Sequence, residues 1–312
     1  MKESASLLIA LIVLSTATAV PKVQFNEVEI ITSGSGAITV RYLTLNITCQ
    51  VALWGPNWSW DNNYSLQINW PVQSVKDREV SGRLNSPWGT FTWREEALFG
   101  SDFALYEFTL TTDSDLTFEN IAWIIDLPIE NFASGSITVL LSDGTLQNVK
   151  LRAEYVSGEE ELASYDNGFG WIVPIGQNLG VTMAVFTDTA AQVPLSVTDE
   201  REWGGTTYRL RFYYPGGRQV LKAGDAIKFY VYIHPYSSAE GYEAMVQRVH
   251  GLAYLRGGGT SSRELKDLLA ASKLESTIEQ MRRERQTLLI LYVVAALALV
   301  FTLVLFLKRR HR

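Results

Sequence analysis

Four carboxylates fall close together in "WREEALFGSDFALYEF": Glu95, Glu96, Asp102 and Glu107. Two carboxyl groups about 5 to 10 Å apart across a cleft can hydrolyse a glycosidic bond, one as acid and the other as base or nucleophile. Acidic residues are plentiful here, with 33 Asp and Glu in 312 residues, and spacing singles out no pair. These four are the candidate acids if the protein is an enzyme, and the absence of a fuller constellation favours a noncatalytic reading. His234 and His250 have no cysteine or histidine at ligand spacing, so no transition-metal site is expected. "TTDSDLTFEN", with Asp113 and Asp115, could bind calcium through turn oxygens, although it lacks the glycine and closing glutamate of a calcium loop. "GFGW" and "PGG" precede no helix that could cradle phosphate.

A second group of residues could hold sugar by stacking. Trp54, Trp58, Trp60 and Trp88 lie near Asn-rich loops, and flat rings pack well on sugar faces. Tyr230, Tyr232 and His234 alternate with Ile227, Phe229, Val231 and Ile233, which puts them on one side of a strand together with Lys228. In "TTYRLRFYY" the same alternation sets Arg209, Arg211 and Tyr213 against Leu210, Phe212 and Tyr214. If these two strands pair, one outer face carries Arg, Lys, Tyr and His together, as a ligand surface, a seat for a helix or an ordinary solvated face. Asn46, Asn57 and Asn63 each begin an Asn-x-Ser/Thr triplet, so the same region could bear sugar instead of binding it.

The elements that must position these groups are strands. Leu43, Leu45, Ile47, Cys49 and Val51 alternate with Thr44, Asn46, Thr48 and Gln50, which predicts a half-buried strand with an inert core Cys49 and a solvent-facing Asn46. "SITVLLSDGTLQNVKLRAEY" reads as a hairpin turning at Asp143-Gly144. Similar runs recur about a dozen times before Ser237 with no helical period among them, so the expected fold is all-β: a large antiparallel β-sandwich. One sandwich is favoured over two modules meeting at "SGEEELASYDNG". After it, Ser237 and Glu240 stand at capping-box spacing ahead of Tyr242, Met245, Val246, Val249, Leu252 and Ala253, predicting one helix docked on the sandwich. Residues 257–287 read as a linker and short helical stalk, in which Leu274, Ile278 and Met281 follow helical spacing.

The two ends set the expected location. Lys2, the apolar run Leu7 to Leu14 and Ala17-Thr18-Ala19 have the pattern of a secretory signal peptide over 1–19. Leu288 to Leu307 carries no charge and is followed by Lys308, Arg309, Arg310 and Arg312, as a single transmembrane helix with a cytoplasmic tail at 308–312 would be. The organisation expected is therefore a cell-membrane protein with its domain, 20–256, outside the cytoplasm. A formal net charge of −6 repels phosphate backbones and argues against nucleic acid as a partner.

"LKAGDAIKFYVYIHP", preceded by "YRLRFYYPGGR", resembles the end of the supersandwich domains of the galactose mutarotase-like class, found in many carbohydrate-active proteins. The likeness covers about thirty residues and rests on turn chemistry that selects the same residue types. It implies a fold and a sugar context, and it transfers no catalytic residue. The reading that follows is a surface protein whose β-sandwich binds a glycan or an envelope protein without catalysis. The alternatives are an anchored carbohydrate-active enzyme and an accessory subunit of a membrane complex, its partner met through the stalk and membrane helix, where Ala295, Ala296 and Ala298 form a small-residue patch. No cofactor other than calcium is suggested.

Overall fold

The structure is a computed structural model and describes residues 21–33, 36–58, 72–76, 78–86, 89–189 and 193–271, with Arg283, Thr287, Leu291 and Tyr292 beyond them. The expected signal peptide, the strand at Tyr64 to Trp70, Leu274, Ile278 and Met281 of the stalk, and nearly all of Leu288 to Leu307 lie outside these residues. Among the described residues no helix is long and apolar enough to cross a membrane.

In chain order the strands are β1 (Lys22–Phe25), β2 (Val28–Thr32), β3 (Ile38–Tyr42), β4 (Leu45–Trp54), β5 (Val72–Lys76), β6 (Glu79–Ser86), β7 (Gly89–Phe99), β8 (Ala104–Thr112), β9 (Leu116–Phe118) and β10 (Asn120–Pro128). The single-turn α1 (Ile129–Phe132) precedes β11 (Ser136–Leu141), β12 (Leu146–Lys150), β13 (Glu161–Gly176), β14 (Leu179–Thr187), β15 (Val193–Asp199), β16 (Thr207–Tyr213), β17 (Gln219–Leu221) and β18 (Ala226–Tyr236). Two helices follow, α2 (Ala239–Gly257) and α3 (Ser262–Ala270).

All pairings among the described residues are antiparallel; fourteen strands form one hydrogen-bonded path, β1-β2-β3-β4-β10-β16-β15-β13-β14-β18-β8-β7-β6-β5, folded into two layers, and β9 and β17 pair separately. The front layer runs from β1 to the first half of β13, and the back layer from the second half of β13 to β5, with β11 and β12 beside it. The layers face each other through apolar side chains: Cys49 Sγ of β4 lies 3.5 Å from Met183 Sδ of β14, and the rings of Trp171 and Phe212 are 4.8 Å apart. This is the expected sandwich, with Cys49 buried and its thiol pushed well above its ordinary pKa by burial.

The crossing between layers occurs at Gly168, which pairs with Val193 of β15 and with Leu141 of β11. A side chain there would put its Cβ 2.6 Å from Leu195 Cβ, so glycine permits the close approach. The charged stretch considered above as a boundary between modules therefore runs into one continuous strand, and a single core cluster spans both layers.

Four local expectations are corrected. Leu43 is not on the core face: it sits in the β3–β4 turn at φ 51 and is 78% exposed, because the chain reverses there and the alternation restarts at Leu45. The helix cap is Ser238, whose Oγ accepts from Gly241 N, while a true capping box opens α3 with Ser261 and Glu264. Helix α3 is docked and does not begin a free stalk, since Leu265 and Leu269 are buried with α2 residues on the back layer. The strands around Arg211 and Tyr232 do not pair: β16 lies between β10 and β15 in the front layer, and β18 between β14 and β8 in the back layer. The segment joining them carries β17, which pairs with β9 and takes the chain across the sandwich.

Candidate ligand-binding face

Each layer has an outer face, and the two are built differently. On the back layer Tyr230 and Tyr232 point outward, as their alternation required, into a second apolar cluster formed with Met245, Val249 and Leu252 of α2, and His234 on the same side is buried as well. The face is a helix seat. Tyr232 Oη lies 2.9 Å from His234 Nδ1, and His234 Nε2 is 3.8 Å from Asp102 Oδ2. Asp102 in turn accepts from Arg248 Nη1 of α2 at 2.7 Å.

The other three candidate acids of this layer fall into two environments. Glu95 faces inward and is 1% exposed. Glu96 and Glu107 stand directly opposite each other on β7 and β8, the nearest approach to a facing pair. Lys266 of α3 bridges them, at 3.3 Å from Glu96 and 2.6 Å from Glu107, and Lys228 bonds Glu107 at 2.6 Å. Burial would raise the Glu107 carboxyl, and the two lysines outweigh it and hold the pKa below the usual range. The arrangement fastens a helix; it offers no carboxyl poised to give up a proton.

On the front layer the outward side chains of β4, β10, β16 and β15 fall into rows. One row is Thr48, Asp126, Arg209 and Thr198; the next is Gln50, Ile124, Arg211 and Ser196; the third is Ala52, Ala122 and Tyr213. Asp126 accepts from Arg209 Nε at 2.8 Å and Nη2 at 3.2 Å, in a forked pair. Glu200, in the short 3-10 turn Glu200–Trp203, accepts from Arg209 Nη1 and Arg211 Nη2, each at 2.7 Å, and from Thr198 Oγ1 at 2.8 Å. Arg211 also donates to Thr198 Oγ1. All four charges are buried. Burial opposes the charge of Arg209, yet Asp126 and Glu200 hold its pKa above the ordinary value.

Aromatic rings flank this network. The indole of Trp203 is 60% exposed, with the Arg211 guanidinium carbon 5.8 Å from its ring centroid. Trp54 and Tyr213 pack against Ala52, Ala122 and Ile124, their rings 6.4 Å apart, and Tyr213 Oη lies 3.2 Å from Ser196 Oγ. Gln50 is 3% exposed, and among the described residues neither atom of its amide meets a hydrogen-bond partner.

Trp54 is thus the predicted stacking residue that the structure sets beside polar groups. The side chain of Trp58 and all of Trp60, Trp88 and Asn63 lie outside the described residues. Asn46 is exposed and accepts from Arg41 Nε at 3.2 Å; Asn57 is exposed at φ 58. Asp113 and Asp115, considered for calcium, bond Arg83 at 2.9 Å and Lys222 at 2.7 Å. Among the described residues no group of three or more His, Cys, Asp and Glu could hold a metal ion. A groove of 420 Å³ lined by Tyr42, Leu43, Phe132, Pro174 and Ile175 contains no charged residue.

Asp126, Glu200 and Trp203 were not among the residues singled out from sequence. The signal existed: Asp126 interrupts the apolar run "IAWIIDLP", and an acid in a strand buried on both faces needs a cation.

No protein-family profile and no curated protein matches the sequence. Among solved structures, the chain is similar to a candidate aldose 1-epimerase from Escherichia coli K12, with 13% identity, 70% of this chain and 99% of that one covered, and a TM-score of 0.46. It is also similar to a galactose mutarotase-like protein from Lactobacillus casei ATCC 334, with 9% identity, 70% and 100% covered, and a TM-score of 0.44. An alpha-N-acetylgalactosaminidase from Bifidobacterium bifidum has 9% identity and a TM-score of 0.37; 76% of this chain matches 39% of that one. The descriptions of the first two of these neighbours, aldose 1-epimerase and galactose mutarotase-like, are of the kind to which "LKAGDAIKFYVYIHP" bears its weak resemblance.

Proposed function

We propose that this is a cell-surface protein that binds a glycan without catalysis, through the front face around Trp203, with Trp54 and Tyr213 as further ring surface. The observation that carries the reading is the exposed Trp203 indole resting against the buried Arg211. A large ring left in solvent beside a fixed guanidinium offers an apolar platform next to hydrogen-bonding groups, which is what a sugar face with its hydroxyl rim requires. The four buried charges neutralise one another, so their role is to hold the Glu200–Trp203 turn rigid beneath the ring. The surface location is proposed from the charge-free Leu288 to Leu307 and the amino-terminal run.

Glycan-array binding of the full-length protein in detergent, compared with Trp203→Ala, tests the reading. Binding should weaken at least about tenfold in the variant, roughly 1.4 kcal/mol. Equal binding by both proteins, or retention of no glycan by either, would defeat it; in the second case capture of a stoichiometric membrane partner would favour the accessory-subunit reading.

A further inference from the structure

Glu95 takes no part in the face described above, and it is a carboxyl only 1% exposed. It projects from β7 into the space between the layers, where its neighbours on the inward side of the strand are Trp93 and Ala97. Its Oε1 accepts from Thr32 Oγ1 at 3.2 Å, and among the described residues Oε2 meets no donor. Thr32 ends β2 in the front layer, so this single hydrogen bond joins the two layers across residues far apart in sequence. The turn that follows Thr32 is seated on the same strand: Gly36, at φ 74, lies so close to Trp93 that a Cβ would fall 2.7 Å from its ring. Titratable groups from other elements near the carboxyl are Cys49 of β4 and Tyr106 of β8, neither of which carries positive charge. Among the described residues no Lys, Arg or His forms an ion pair with it.

We propose that the buried Glu95 carboxyl is a pH-sensitive latch: while it is neutral, Thr32 and Gly36 stay packed against β7, and when it ionises the desolvated charge, which the Thr32 hydroxyl offsets only in part, drives that contact open to water. Burial raises the Glu95 pKa to about 8, and the Thr32 hydroxyl opposes this only in part. The folded protein therefore keeps a proton that the opened chain, with an ordinary carboxylate, has already lost. Closure is strongest below the ordinary carboxylate range, weakens as pH rises, and levels off above about 8. An ionised Glu95 would be a buried charge with one hydroxyl donor and no cation, and opening the turn to water relieves it.

Hydrogen exchange of the full-length protein at pH 5.5 and 8.5, corrected for intrinsic rates, tests the latch. Protection of β1, β2 and β3 should fall on the order of 100-fold between the two values, while that of β10 and β14 holds. Glu95→Gln, nearly the same shape and never charged, should keep the turn closed at both values. Thr32→Val removes the donor that favours the ionised form, so it should move the midpoint of opening to higher pH, which a plain loss of packing would not do. The proposal is overturned if protection of β1–β3 is independent of pH, if Glu95→Gln opens as the parent does, or if Thr32→Val lowers the midpoint.

Discussion

The two outer faces begin from the same material and end differently. "YRLRFY" in β16 and "IKFYVYIH" in β18 both alternate large apolar residues with Arg, Lys, Tyr or His. The β18 face is buried because α2 and α3 follow it in the chain and lay Met245, Val249, Leu252 and Leu265 on its tyrosines. The β16 face receives no helix among the described residues; its arginines are buried by acids, Asp126 from β10 and Glu200 from the turn before the strand. Polar alternation thus gives the outward side of a strand, and the next element along the chain decides whether that side becomes a seat or a salt-bridged surface.

The contrast can be broken by substitution. The largest effect is expected at Glu200→Ala, which strips two buried guanidiniums of a partner and should cost about 3 to 5 kcal/mol in urea unfolding. A loss below about 1 kcal/mol would mean that the front network is as solvated as a surface pair. Next, Leu265→Ala should cost about 2 to 4 kcal/mol and raise exchange in α3 before the strands. Acidification should act on the back face. Because the Glu107 pKa is held below its ordinary value, the contribution of its lysine contacts is present above about 4.5 and lost as pH falls through the lower folded value. Exchange in α3 should rise there, and Glu107→Gln should remove that dependence. The smallest effect on stability is expected at Trp203→Ala, within about 0.5 kcal/mol, which separates stability from the roughly tenfold weaker glycan binding that the proposed function expects of the same variant.

Much of the architecture was readable from alternation and turn chemistry. The Asp143-Gly144 hairpin, the inward Cys49, the outward Asn46 and the docked helix α2 all follow from local rules and stand as expected. What local rules could not supply was partnership. Nothing between Tyr214 and Asp225 distinguishes a hairpin from a crossing, because Pro215-Gly216-Gly217 and Ala223-Gly224 suit either, and the pairing of β17 with β9 depends on residues about a hundred positions away. β10 escaped notice for a related reason: buried on both faces, it has no polar alternation to reveal it. The acids near residue 100 were visible, but alternation alone could not assign their partners, since Lys266 and Arg248 arrive from helices far along the chain.

The crossing at Gly168 bears on how the molecule comes apart. A peptide that belongs to both ladders is a crease in a single ribbon, so the sandwich has no plane along which it separates into two halves. A protease cutting the exposed segment at 156–159 would nick the ribbon without parting it, and the fragments would travel together until denaturant undid both layers at once.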